Sequence, residues 1–306
     1  MMRLVGLVIL MVCMGINPPK RIRAQIDTTY LAESYRLVRS PAPGEVAHFQ
    51  IIRLGETLDG QGHITIRTRS AGSFSTEVLY VNEDGSWMDR YTWSSFFSGR
   101  STSVSDSIVQ VEITAVRDFT YDLLSSDRFS LPPVPIGGLA KTPDTYAFFV
   151  LTWDAAAFMQ AATPQPGYPI RNLSKVGDRI SETTPRKPAQ FNFTPTVSKF
   201  VYKRGPFSTT FTGMTRVSDI PCALLHFESG ANALSLRFSS DRMQTGLSGS
   251  EWIQGTLSIG LETRRIMAGT MRNMLVAPQT TTLPGKTIQS PIVFRQNITI
   301  EQVPKE

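Results

Sequence analysis

The sequence predicts a mainly β protein built from antiparallel meander sheets, arranged as a half-open barrel or a sandwich, with one buried helix near residues 143–162. Polar and apolar residues alternate through much of the chain, as they do in half-buried strands. Short turn signals separate these runs, and one stretch between them has the composition of a long apolar helix. The same pattern leaves one alternative open, which is two separate β-sandwich domains.

Residues 1–25 predict a secretory signal peptide. A cation at Arg3 precedes an unbroken apolar run from Leu4 to Ile16, and Ala24 provides a small residue before the expected cleavage site. The run has about 13 residues, whereas a membrane-spanning helix needs about 20. Three cations after the run are unusual for a cleaved signal and leave an uncleaved signal anchor as the alternative. We therefore expect an exported protein, periplasmic or extracellular, with no transmembrane span in its mature chain.

The charge of the chain argues against nucleic acid as a partner. The sequence has 31 basic and 25 acidic residues, but four of the basic residues lie in the leader and no acidic residue precedes Asp27. The mature chain therefore has 27 basic and 25 acidic residues, a net charge of +2, and it has no basic run interleaved with aromatic residues. Cleavage also leaves Cys222 as the one cysteine, which we expect to be a buried, unreactive thiol.

Residues 26–138 predict a β-rich N-terminal half. Polar and apolar residues alternate from His63 to Thr68 and from Val109 to Ala115, which is the period of a strand with one wet face. Turn signals lie at Gly60–Gly62 and at Asp84–Gly85, and each separates two strand-like runs. The order of strand, turn and strand predicts an antiparallel meander.

Residues 139–165 predict a buried helix and a connector. Thr142 is a suitable N-cap, Pro143 is a suitable first helical residue, and the apolar stretch that follows ends before Pro164. Apolar residues lie nearly all round the predicted helix, so the helix needs cover on more than one side. The alternative is a strand at Tyr146–Trp153, where aromatic and branched residues are concentrated.

Residues 166–306 predict a second β-rich half. Ser218–Pro221 separates two strand-like runs, Glu262–Arg265 forms the turn of a hairpin, and a loop is expected at Pro278–Lys286. Strands follow strands in both halves, and there is no regular alternation of strand and helix. This order excludes a doubly wound nucleotide-binding fold.

No sequence motif indicates catalysis, and we expect neither a metal nor a cofactor. The chain has three histidines, and the H-E-x-x-H, C-x-x-C and G-x-S-x-G spacings are all missing. Cys222, His226 and Glu228 share one face of a predicted strand, but Cys222 and His226 lie roughly 13 Å apart on a strand, too far for a thiolate and an imidazole to interact. The two carboxylates of a glycosidase need no sequence motif, so a carbohydrate-active enzyme remains an alternative.

Four residues are the candidate ligand-binding residues. Trp87, Tyr91 and Trp93 recur at even spacing on one strand, where they can stack on sugar rings or line an apolar pocket. The alternative is that these rings form the core side of the sheet. Asp154 interrupts the apolar helix, and we expect its pKa to be the most perturbed of the carboxylates, because desolvation raises the pKa of an unpaired acid. The alternative for Asp154 is a hydrogen-bonded structural role.

These observations favour an exported, non-catalytic binding protein that holds an apolar or amphipathic ligand, such as a lipid-like molecule, between a curved sheet and a helix. At the level of architecture alone, this arrangement resembles the half-open barrels of periplasmic lipid and lipoprotein carriers, a likeness that implies no particular residue. The first alternative is an envelope-associated structural or assembly partner that binds another envelope protein. The second alternative is the carbohydrate-active enzyme.

The leader predicts that the mature protein begins at Gln25 or Ile26, because the small residue at Ala24 ends the polar segment after the apolar run. Intact-mass measurement and N-terminal sequencing of protein recovered from secreting cells would give this start. A chain that retains Met1 or Met2 would instead support the signal anchor.

Overall fold

The computed structural model describes residues 33–102, 107–125, 143–161, 173–182, 189–191, 197–240 and 243–304. Within these ranges, thirteen strands form one antiparallel sheet that is not closed, and one α-helix packs against it. The predicted class, mainly β with one buried helix, is therefore confirmed. The predicted leader at residues 1–25 lies outside the described residues.

The regular elements account for most of the described chain. The helix is α1 (Pro143–Ala161), and one 3-10 turn spans Thr114–Val116. The strands are β1 (Val46–Leu58), β2 (Ile64–Val81), β3 (Trp87–Ser101), β4 (Val111–Glu112), β5 (Phe119–Leu124), β6 (Arg179–Glu182), β7 (Ala189–Phe191), β8 (Val197–Lys203), β9 (Phe207–Val217), β10 (Ile220–Ser240), β11 (Met243–Gly260), β12 (Ile266–Leu283) and β13 (Lys286–Val303).

The first long strand of the chain, β1, and its last strand, β13, lie side by side in the middle of the sheet. The middle of the sheet has the order β3, β2, β1, β13, β12, β11, β10. Strands β4 and β5 both pair with β3, whereas β8 and β9 both pair with β10 and are themselves flanked by β7 and β6. Antiparallel pairing of β1 with β13 runs from Leu58 opposite Val293 to His48 opposite Val303. The alternative of two separate sandwich domains is therefore wrong, because this pairing joins both halves in one sheet.

The predicted tight turns are present. The backbone N–H of Asn82 donates to the carbonyl oxygen of Ser86 across the turn at Asp84–Gly85, and Gly85 has a φ of +81°. Ser218 and Asp219 join β9 to β10 with φ angles of +46° and +64°. Positive φ at both central residues matches the twist of the flanking strands, which keeps this hairpin tight.

The strand predicted at Val109–Ala115 is wrong over most of its length. The structure has a strand only at Val111–Glu112, and the chain then turns into the 3-10 segment that buries Val116. This stretch lies at the edge of the sheet, where Val111 remains exposed. An alternating pattern there has no buried face to stabilise a longer strand.

The loop predicted at Pro278–Lys286 is also wrong. Strands β12 and β13 continue through this stretch, with Pro278 opposite Pro291 and Leu283 opposite Lys286. Two residues, Pro284 and Gly285, suffice for the turn because Gly285 adopts a φ of +74°. The β-branched threonines before the turn favour the extended strand.

Helix α1 packs against one face of the sheet, its inner face, and contacts strands from both halves of the chain. The ring of Phe148 lies 5.1 Å from that of Trp93 in β3, and the ring of Trp153 lies 6.4 Å from that of Tyr202 in β8. The sheet therefore extends around the helix, and the alternative strand at Tyr146–Trp153 is wrong. No helix in the described ranges combines the length and apolarity that crossing a bilayer requires.

The two faces of the sheet differ in polarity. Buried apolar side chains cover the inner face and form one core with the helix; they include Ile51, Phe74, Trp93, Leu225, Leu257, Ile259, Ile298 and Ile300. The outer face has hydroxyl and charged side chains at the intervening positions, among them Glu56, Thr256, Thr270, Arg272, Arg295 and Thr299. This alternation is the period of two that the sequence shows.

The segment at residues 33–45 connects distant parts of the sheet. The backbone N–H of Tyr35 donates to the carbonyl oxygen of Ser174, and Leu37 is buried in the core. Further along, the Arg39 guanidinium lies over the Trp87 ring, while Glu45 accepts hydrogen bonds from both Arg39 and Arg265, each at 2.6 Å. The segment thus contacts β3 and the turn between β11 and β12.

Replacing Gly269 by valine should destabilise the fold by about 1–3 kcal/mol, the usual cost of overpacking a core. A Cβ atom at Gly269 would lie 2.9 Å from Phe158 Cε1 of the helix and 3.0 Å from Leu257 Cδ2. The measurement is the free energy of unfolding in urea.

Gly246→Val is the matched control, because Gly246 lies in β11 and no atom would lie within 4 Å of its Cβ. Equal stability of the two variants would show that the helix does not approach β12 closely.

Candidate functional site

The three predicted aromatic residues lie together on the inner face of β3. Trp87, Tyr91 and Trp93 are 1%, 2% and 0% exposed. The Tyr91 ring stacks on that of Tyr121 at 5.0 Å, and the Trp93 ring lies 4.9 Å from that of Phe74. Protein side chains cover these rings, which is the arrangement that the core-side alternative predicts.

Trp87 has a polar neighbour inside this core. Its Nε1–H donates to Asp89 Oδ2 at 2.8 Å. Burial raises the pKa of Asp89 to about 6, although Arg39 and the Trp87 hydrogen bond act in the opposite direction. The indole of Trp87 therefore satisfies one oxygen of a buried carboxyl, while Asp89 Oδ1 has no hydrogen-bond partner among the described residues.

Asp154, the fourth predicted residue, faces β1 from the helix. Its Oδ2 lies 3.3 Å from Arg53 Nε, and both side chains are largely buried. Burial raises the pKa of Asp154 to about 6, and the positive charge of Arg53 opposes this rise only in part. The pKa of Asp154 is raised, as desolvation predicts, but the expectation of an unpaired acid is wrong because Arg53 lies opposite it. No contact links Asp154 to the three aromatic residues among those described.

A second acid belongs to the same region of the interior. The Tyr202 hydroxyl donates to Glu251 Oε2 at 3.0 Å. Burial raises the pKa of Glu251 to about 7; the Tyr202 hydrogen bond and Arg53 lower it, and the charge of Asp154 adds to the rise. The expectation that Asp154 is the most perturbed carboxylate is therefore wrong, because the pKa of Asp89 rises to the same value and the pKa of Glu251 rises at least as far. Side chains from β1, α1, β11 and β8 form one polar cluster that spans the inside of the sheet.

The geometry of this cluster suits a structural role. Asp154 is only 6% exposed and faces Arg53, while Glu251 accepts a hydrogen bond from Tyr202. A substrate would have to displace these partners before it could reach either acid. The ion pair of Asp154 with Arg53 joins the helix to β1, which agrees with the structural role that the sequence left open for Asp154, although the contact is an ion pair rather than a hydrogen bond.

The outer face of the sheet has a groove of about 970 Å³. It crosses β6, β9, β10, β11, β12, β13 and β1, on the side of the sheet that is opposite the helix. The side chains that line it from the outer face include Glu56, Arg179, Ser208, Glu228, Trp252, Gln254, Arg272, Met274, Arg295 and Asn297. Most of these side chains are polar, and the groove is open to solvent.

Two apolar side chains lie among these polar ones. Trp252 is 43% exposed and lies directly opposite Met274, which is 44% exposed. In the next row of cross-strand neighbours, Gln254 lies opposite Arg272, and Arg272 lies opposite Asn297. The exposed indole is therefore adjacent to Arg272 and Gln254, and Asn297 lies on the far side of Arg272.

The charges of the groove are paired with one exception. Glu56 accepts a hydrogen bond from Arg295 at 2.8 Å, and Glu228 accepts one from Arg179 at 2.9 Å. Arg272 makes neither an ion pair nor a side-chain hydrogen bond with any residue in the described part of the chain. The uncompensated charge of the groove therefore lies on Arg272, beside Trp252.

Sequence reasoning did not identify this groove, although a signal for it exists. The alternation in β11 places Ile253 on the dry face and therefore places Trp252 on the wet face. A tryptophan on a wet face is unusual enough to mark a candidate binding residue. The pairing of Trp252 with Met274, in contrast, depends on the register of two long strands.

The remaining sequence candidates do not form a reactive site. Cys222 is buried as expected, and burial raises the pKa of its thiol to about 11. Glu228 binds Arg179 at the edge of the groove rather than His226. Among the described residues, no three His, Cys, Asp or Glu side chains are close enough to hold a metal ion.

The change Asp154→Asn should weaken the pH dependence of stability. Because burial raises the pKa of Asp154 from 3.8 to about 6, the folded state binds the proton more tightly and stability decreases as the pH rises through this range. As the pH falls from 7 to 5, protonation of Asp154 should raise the free energy of unfolding of the wild type by about 1 kcal/mol. The variant should lack this rise. The measurement is urea unfolding at both pH values.

The same change at an exposed acid, Asp219→Asn, is the control and should preserve the wild-type pH dependence. If Asp154→Asn also preserved it, Asp154 would not be the buried titrating group.

Comparisons with known proteins identify no family for this chain. No protein-family model matches it, and no curated protein matches it. Solved structures with some similarity include OmpT, an outer membrane protein of Vibrio cholerae, with 8% identity over 86% of this chain and 98% of that chain at a TM-score of 0.20. A triple mutant of the Rhodopseudomonas blastica porin has 8% identity over 83% of this chain and 100% of its own chain, at a TM-score of 0.18. OccK2 of Pseudomonas aeruginosa has 7% identity over 85% of this chain and 98% of its own chain, at a TM-score of 0.19. Similarity at such TM-scores carries no inference about function or location.

Proposed function

We propose that this protein is a non-catalytic binding protein that holds an amphipathic ligand in the groove on the outer face of its sheet. One observation carries the proposal: the exposed indole of Trp252 lies beside an unpaired arginine, which an amide side chain flanks on each side, in a groove of about 970 Å³. Ligand sites typically combine an apolar contact surface with a few polar groups that fix orientation. The groove has both components within three neighbouring strands.

The outer groove is a better location for a ligand than the interface between sheet and helix. Where the helix meets the sheet, Phe148 packs edge-on against three aromatic rings of the sheet, at 5.1 to 5.5 Å. Phe158 lies so close to Gly269 that no Cβ would fit between them. Side chains of the protein occupy this interface, so the proposed ligand lies on the opposite face.

Binding is favoured over glycoside hydrolysis by the positions of the groove acids. Glu56 on β1 and Glu228 on β10 are separated by β13, β12 and β11, which corresponds to roughly 19 Å across the sheet. A glycosidase needs its two carboxyl groups about 5 to 9 Å apart. Each of these acids is also engaged by an arginine. The groove therefore suits recognition of a ligand rather than cleavage of one.

We also propose that binding takes place outside the cytoplasm, in the periplasm or the extracellular space. The support is the expected leader at residues 1–25. An exported protein with an open, solvent-facing groove can exchange its ligand without a conformational change.

The proposal predicts that anilinonaphthalene sulfonate, an aromatic anion, binds the folded protein with one dye molecule per chain. The dye should stack its apolar rings on Trp252 and place its sulfonate beside Arg272. Fluorescence titration measures the stoichiometry. Trp252→Ala should weaken this binding at least tenfold, because the variant removes the apolar contact.

Tyr80→Ala is the matched control, since Tyr80 is an equally exposed aromatic residue outside the groove. It should leave the saturable signal unchanged. A dye signal that the Trp252 variant retains in full would show that the groove does not bind amphipathic molecules.

A further inference from the structure

The arrangement of the groove is specific enough to indicate the chemistry of its ligand. Directly opposed residues of neighbouring strands have Cβ atoms about 4.5 to 5.5 Å apart, and diagonal neighbours lie about 7 to 8 Å apart. Arg272 is the diagonal neighbour of Trp252 and lies directly opposite both Gln254 and Asn297. A ring that lies on the indole can therefore present a substituent to the guanidinium.

The free charge suits a carboxylate. A guanidinium presents a planar fork of donors that binds a carboxylate through two parallel hydrogen bonds. The other arginines of the groove already have carboxylate partners, since Arg179 donates one hydrogen bond to Glu228 and Arg295 donates one to Glu56. Arg272 is the one left without such a partner among the described residues. A ligand carboxylate would complete the same pairing there.

The surrounding side chains suit a ligand that is rich in hydroxyl groups. Gln254 and Asn297 each offer an amide oxygen as acceptor and an NH₂ group as donor. The face of the Trp252 indole offers an apolar surface for the C–H face of a sugar ring. We propose that the ligand of the groove is an acidic saccharide whose ring packs on Trp252 and whose carboxylate binds Arg272. This inference rests on the proposed binding function.

The charge distribution favours an acidic saccharide over nucleic acid. A nucleic acid presents one phosphate per nucleotide, and its affinity comes mainly from several cations that neutralise these phosphates. The groove has three arginines, but glutamates neutralise two of them. One free arginine among amides matches a ligand that is sparsely charged and rich in hydroxyls.

A second free cation lies beyond the lining of the groove, where only a ligand longer than one sugar could reach it. The row of Arg272 and Asn297 continues across the sheet through Leu54 to Arg69 on β2. Arg69 is exposed and has no ion pair within the described chain. Three strand spacings separate Arg69 from Arg272, which is roughly 14 Å. An acidic oligosaccharide could contact both arginines, whereas a monosaccharide could not.

The test measures binding of three uronic acid oligosaccharides: trigalacturonate, trimannuronate and a hyaluronan tetrasaccharide. The fully methyl-esterified form of each one keeps the sugars and removes the charge. Isothermal titration of the wild-type protein should show that at least one acid binds, and that it binds at least tenfold more tightly than its ester. Arg272→Gln should remove this preference for the acid, and Arg69→Gln should reduce affinity by a smaller factor.

Arg100→Gln, at an exposed arginine outside the groove, is the control and should bind as the wild type does. Thermal unfolding confirms that each variant is folded. Equal affinity for acid and ester, or a preference that survives Arg272→Gln, would overturn the proposal. Tighter binding of oligothymidylate, dependent on Arg272, would overturn it in favour of nucleic acid.

The dye experiment separates failure of this inference from failure of the proposed function. If none of the acids binds while anilinonaphthalene sulfonate still binds at Trp252, the ligand is not an acidic saccharide, but the groove remains a site for amphipathic molecules. If the dye also fails to depend on Trp252, both proposals are wrong.

Discussion

The burial of helix α1 is the constraint on which the architecture depends. The helix is apolar nearly all round, so a flat sheet on one side would leave much of it in water. Phe148 contacts Trp93 on β3 and Trp153 contacts Tyr202 on β8, so strands from both halves of the chain cover the same helix. This cover requires a sheet that is continuous from one half to the other, and the pairing of β1 with β13 provides that continuity.

The same burial explains the polar cluster around Asp154. A buried ion pair adds little net stability, but removing either partner alone leaves a costly charge in the interior. The raised pKa of Asp154 shows that desolvation outweighs the attraction of Arg53. A shift of the helix by one turn would separate Asp154 from Arg53 and leave both buried. We therefore expect the cluster to specify the position of the helix more than it stabilises the fold.

The sequence predicted what local signals can specify. Alternation, turn residues and the apolar stretch located most strands, the tight turns and the helix, because each depends on neighbours within a few residues. Pairing of β1 with β13, and the ion pair between Glu45 and Arg265, join residues more than 200 positions apart and leave no local trace. Even spacing placed Trp87, Tyr91 and Trp93 on one face, but only the tertiary structure shows that this face is the core.

The two-residue period of a strand also explains why a binding site can lie on the outer face. In β11, Glu251 joins the interior cluster, and Ile253 points towards the core; Trp252 between them must then face solvent. Folding therefore constrains the odd-numbered positions of this stretch and leaves the even-numbered ones free. Trp252, Gln254 and, on the next strand, Arg272 and Met274 occupy such free positions. Substitutions there cost the core little, so ligand specificity can change in this protein without a matching loss of stability.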